Sequence, residues 1–85
     1  MLIVEAELLP LYDALHIAVG YLVRSGYGLS EANERASLHI VNFFNAGERR
    51  ALMLANRAIS MIEKERVEED KRRSAALSAL FKGLG

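Results

Sequence analysis

The side chains in this sequence best equipped for chemistry are two histidines and three tyrosines. His16 and His39, from different segments, could share a metal ion with nearby carboxylates. No His-x-x-x-His or Glu-x-x-His spacing exists to support such a site. With no cysteine in the chain, zinc–thiolate centres, disulfides and redox chemistry are also excluded. Each histidine is therefore expected at the edge of a packing face, satisfied by a hydrogen bond. Tyr12, Tyr21 and Tyr27 with His16 could line a small pocket. No serine, histidine and carboxylate are spaced to suggest a triad, although triads are spatial. The chain is not expected to be an enzyme, and no cofactor is expected.

The stretch "SGYGLSEAN", Ser25 to Asn33, places two glycines ahead of a helix start, and helix N-termini attract anions. It lacks the G-x-x-x-x-G-K-S/T pattern, contains no lysine and follows no recognisable strand. Glu31 and Glu34 would repel a phosphate, so the stretch reads as a turn between helices. Drawn as a helix-turn-helix, it would offer Ser30, Glu31, Asn33, Glu34 and Ser37 to DNA. Two carboxylates facing phosphates are a poor start, and the basic clusters are confined to Arg49–Arg50 and Lys71–Arg73. Lysine plus arginine and aspartate plus glutamate balance at 11 each, leaving no net field for nucleic acid or anionic lipid.

The elements that must position these residues are helical. Pro10 suits the first turn of a helix running to about Arg24, with Leu11, Leu15, Ala18, Val19 and Leu22 on one face. Residues 2–9 are either a short helix ahead of a proline kink or an extended arm, and Glu5, Ala6, Glu7, Leu8 and Leu9, as good helix formers, favour the helix. Gly26 suits the position just past a helix end. Ser30 is the expected N-cap of the second helix, which aligns Leu29, Ala32, Ala36, Ile40 and Phe43, with Phe44 at the edge. "NAG", Asn45 to Gly47, ends it. From Glu48 to Lys82 there is neither glycine nor proline. Ala51, Leu54, Ala55, Ala58, Ile59 and Ile62 form a stripe, then Glu65, Arg66, Glu69 and Arg73 occupy the same face, and Ala76, Leu77, Leu80 and Leu84 resume it.

An unbroken helix of that length would measure about 50 Å, longer than a compact domain of this size is wide. It either projects beyond the body or bends near Ser74, which could cap a short fourth helix. Within the charged run, Glu68–Arg72 and Glu69–Arg73 are i,i+4 pairs in the better orientation, with Lys64–Glu68 and Arg66–Asp70 reversed; together they are worth about 1 kcal/mol. Glu69 and Arg73 could also pair across a two-fold axis and set the register of a partner helix.

The expected fold is all-α: a helical hairpin plus a long third helix, in one domain over 1–85, with 63–85 a charged extension ending in an apolar tip. A chain this small buries only about 60% of its unfolded surface, so its stability is marginal. Its 52% apolar content exceeds the roughly 45–50% of ordinary soluble domains. Leu38 and Val41 lie outside the main face of the second helix, as on a helix held between its own domain and a partner. The N-terminus lacks a basic segment and carries Glu5 and Glu7, against a signal peptide, and no apolar run spans a membrane. These features point to a cytoplasmic, non-catalytic interaction protein, a homodimer or higher oligomer. Its expected interface comprises Leu38, Val41, Phe44, Glu69, Arg73, Ala76, Leu77, Leu80 and Phe81. The alternatives are a helix-turn-helix DNA binder and an antitoxin-like protein whose C-terminal helix orders on an unidentified protein partner.

Overall fold

The computed structural model of the protein describes residues 2–84, with side-chain surroundings for residues 8–83. It contains three helices, α1 (Leu2–Arg24), α2 (Leu29–Asn45) and α3 (Ala51–Leu84), and among the described residues no strand. The fold is all-α, a helical hairpin with a long third helix against it.

Both turns follow from one glycine each. At the end of α1 the Tyr27 N–H donates to the Leu22 carbonyl and the Gly26 N–H to Val23, at 3.0 and 3.1 Å. At the end of α2 the Glu48 N–H donates to Phe43 and the Gly47 N–H to Phe44, at 3.1 and 3.0 Å. These paired bonds require a left-handed residue just past the helix, and Gly26 and Gly47 supply it at φ 104° and 114°. The first turn is further fixed by an apolar contact, since Leu22 and Tyr27 share the core.

Four expectations about element ends are settled by the helix bounds. Ser30 does not cap α2: Gly28 holds the cap position in extended backbone, with no side-chain cap bond, and Ser30 lies inside the helix. The third helix starts at Ala51, not Glu48, because the Glu48 carboxylate accepts from the Arg50 N–H at 3.0 Å and from Arg50 Nε at 3.1 Å, fixing the connection ahead of the helix. Pro10 lies inside α1, where it lacks the N–H owed to the carbonyl four residues back; the helix runs through it. Of the two courses open to the third helix, it projects and no fourth helix begins at Ser74, since α3 is continuous.

The three helices pack pairwise around one core. Arg57 lies over the Phe43 ring near the end of α2, whereas Arg35, farther back along α2, reaches Glu65 and Glu69. That order makes α2 and α3 antiparallel, with α1 parallel to α3. Among the described residues, six of the eleven that are buried in the core are alanines: Ala14, Ala18, Ala32, Ala36, Ala55 and Ala58. Small side chains bring helices close together but remove little apolar area from water per residue. Leu29, expected on the core face, is instead exposed at the first position of α2, one residue past the turn.

α3 has 34 residues, about 51 Å of helix, and outruns its partners. The last fully buried side chain along it is Ile62, and every described residue from Arg66 onward is exposed. The chain measures 65 × 24 × 19 Å with a radius of gyration of 16.9 Å, against about 12 Å for a compact chain of this length.

Candidate interaction surface

Three surface regions hold the residues singled out in the sequence: a polar seam between α2 and α3, an apolar groove between α1 and α2, and the far end of α3. The seam centres on Arg35. Its guanidinium reaches Glu31 at 3.2 Å, Glu65 at 3.5 Å and Glu69 at 3.3 Å. Partial burial pulls the Arg35 pKa down, but the Glu69 hydrogen bond and the charges of Glu69, Glu31 and Glu65 outweigh it and raise the net value. His39 lies alongside, its Nε2 2.6 Å from Glu65 Oε1 and its side chain 14% exposed. It is a histidine at a packing edge, as the sequence suggested, with a carboxylate beside it.

Glu69, expected to face a partner helix, is thus engaged within its own chain. Arg73 lies exposed on the rim of a polar recess beside the α1–α2 turn, shared with Glu69 and Asp70. Among the described residues, none of the four i,i+4 pairs expected within the charged run closes to 4 Å. Glu69 is taken by Arg35 and Arg66 lies over the Tyr27 ring; in the two remaining pairs, screened attraction between exposed long side chains does not offset the entropy of fixing them.

The residues with potential for chemistry do not converge. His16 and Tyr12 line the α1–α2 groove, whereas His39 faces α3. Tyr21 points to α3 and donates to Glu63 at 3.0 Å, and Tyr27 is buried in the core with Arg66 over its ring. Among the described residues no three histidine, aspartate or glutamate side chains gather closely enough to hold a metal. Arg49–Arg50 precedes α3 and Lys71–Arg73 lies beside the α1–α2 turn, so the basic clusters sit at opposite ends of the body. No described helix is long and apolar enough to cross a membrane.

The groove lies on the side of α1 and α2 away from α3. Tyr12, Leu15, Val19 and Val23 line it from α1, with Leu29 and Val41 from α2. At the Leu8–Val41 end it deepens into an almost wholly apolar cavity of about 170 Å³. Its continuity was not legible in the sequence. The available signal was the breadth of the α1 apolar surface, where Tyr12 and Val23 flank the main stripe.

Of the other expected interface residues, Val41 belongs to the groove and is 45% exposed, while Leu38 stands outside it at 62%. Phe44 packs against the domain's own core beneath the Arg49 guanidinium, 3.8 Å from its ring centroid. Ala76, Leu77, Leu80 and Phe81 are all exposed, Phe81 at 71%. The accessible surface totals 6291 Å² for a 9.4 kDa chain. A compact monomer of that mass exposes about 5,000 Å². The excess of about 1,300 Å² is larger than the roughly 800 Å² that each partner contributes to a standard interface. No family model, curated protein or solved structure matches the chain.

Proposed function

We propose that this is a small non-catalytic interaction protein of the cytoplasm that acts by self-association, as a homodimer or higher oligomer. The observation that carries the reading is the end of α3. Leu77, Leu80 and Phe81 stand exposed on α3 beyond the body, with no other described part of the chain over them. Single exposed apolar residues are ordinary, but a cluster on a projecting helix is the kind of patch monomers seldom leave bare. The alanine-rich core supports the same reading, because it leaves a domain of this size with little buried apolar area. Val41 and the outer side of α2 add further open apolar surface. The cytoplasmic setting rests on a cysteine-free composition, which needs no oxidising compartment.

Sedimentation velocity over a range of concentrations tests the reading. The expected outcome is a species of twice the chain mass or more. A species of 9.4 kDa that persists at high concentration and binds no hydrophobic dye would overturn it.

A further inference from the structure

The apolar tip of α3 and the α1–α2 groove are unlike surfaces, and a second copy can satisfy both at once. We infer that the protein forms a reciprocal two-fold dimer in which the end of α3 from each chain lies in the α1–α2 groove of the other. The inference rests on the self-association reading above and names the seat.

The phase of the helix comes first. At 100° per residue, Ala76, Leu77 and Leu80 continue the face on which Leu54, Ala58 and Ile62 meet α1 and α2. Past the α1–α2 turn that face has no described residue of its own chain to cover it, because both neighbours have ended. A second body placed turn to turn with the first, related by a two-fold axis across the helices, brings its own α1 and α2 under this face. The side of α1 and α2 then presented is the one away from its own α3, which is the groove side.

Length agrees. The part of the exposed run beyond the level of the α1–α2 turn, 71–83, is about 20 Å of helix, and the groove from Leu29 to Val41 is about 18 Å. The tip cannot serve its own groove, since α3 is unbroken to Leu84 and carries the tip away from it. Area also agrees. The excess of about 1,300 Å² over a compact chain exceeds what each partner in a standard interface contributes. A tip-to-tip contact would use only one of the two apolar surfaces. With the tip seated, each α1–α2–α3 body gains a fourth helix, and the charged residues 69–73 fall near the two-fold axis. Leu38 stays outside the contact.

The chain has no cysteine, so introduced thiols report cleanly. His16→Cys marks the groove rim, and Ala79→Cys marks the tip while sparing Leu80 and Phe81. Each single variant is treated with a short bismaleimide, alone and as a 1:1 mixture, and sedimentation velocity records the mass of the untreated protein. The expected result is a dimer whose mixture gives several-fold more crosslinked product than either variant alone. Strong crosslinking of Ala79→Cys with itself would mean that the tips pair with each other; dimerisation would then stand and this seat would fall. A dimer that yields neither product overturns the seat in the same way. A single-chain mass in sedimentation overturns the seat together with the reading beneath it.

Discussion

The two ends of α3 carry one periodicity and meet opposite fates. Between Ala51 and Ile62 the apolar stripe is covered by α1 and α2, with Leu54, Ala55, Ala58 and Ile62 buried. Between Ala76 and Phe81 a stripe in the same phase has nothing over it. The sequences do not differ in kind, and both are apolar at helical spacing. What differs is whether another helix lies alongside, and only the lengths of α1 and α2 decide that. A periodic stripe states which side of a helix wants cover; it does not say which chain supplies it.

The sharpest way to break the comparison is to truncate one leucine in each half. Leu54→Ala empties a fully buried site against α1 and α2 and is expected to cost about 2–5 kcal/mol in urea unfolding. Leu80→Ala, measured at dilutions where single chains predominate, is expected to change stability by less than about 0.5 kcal/mol. Equal losses at the two positions would show that the tip is covered within its own chain.

Leu38 and Val41 sharpen the same contrast within one helix. Both are exposed on α2, but Val41 lines the groove and Leu38 does not. Val41→Glu places a charge where the second chain is seated and should reduce the dimer to single chains in light scattering. Leu38→Glu should leave the mass unchanged. If Leu38→Glu dissociates the dimer and Val41→Glu does not, the second chain sits on the outer side of α2 instead.

A smaller effect is expected at the polar seam, where α3 leaves the body. Arg35 holds three carboxylates, yet all four side chains are between 28% and 50% exposed, so water screens much of their attraction. Arg35→Met should cost about 0.5–1 kcal/mol at low salt and less at 1 M salt, where screening is complete within a few ångströms. A loss independent of salt would assign the role to packing of the arginine stem rather than to its charge.

The legible parts of this fold were those decided by neighbours along the chain. The positions of Gly26 and Gly47 marked both turns, and the stripe from Ala51 to Ile62 marked the packed half of α3. Ser30 misled because a hydroxyl two residues into a helix resembles a cap, whereas the backbone leaves the helix at Gly28. Leu29 misled for a related reason: it has the right phase but stands at the very start of the helix, where its neighbours have already turned away. The Arg35 seam was hidden because its partners Glu65 and Glu69 lie 30 and 34 residues away in the chain. Meanwhile the i,i+4 pairs within the charged run, easily read, stay open, with Glu69 drawn to Arg35 and Arg66 to the Tyr27 ring. The tip residues were readable as apolar and unaccounted for. The groove was not, since it exists only where the flanks of two stripes from different helices meet.

The smallest effect belongs to the connection that sets the start of α3. Hydrogen bonds from the Arg50 side chain and then from the Arg50 N–H hold Glu48 below the usual carboxylate pKa, aided by the charges of Arg50 and Arg57. The folded chain therefore keeps this carboxylate ionised more readily than the unfolded chain does. Its stabilising contribution is fully present above the ordinary unfolded pKa and is lost as pH falls through the lowered folded value. Glu48→Gln keeps an oxygen that can accept from the Arg50 N–H but removes the charge. The stability gap between the natural chain and Glu48→Gln, followed by urea unfolding from neutral to acid pH, should close as the carboxylate takes up its proton. A gap that stays constant across that range would mean that the geometry of the acceptor, and not its charge, fixes the helix start.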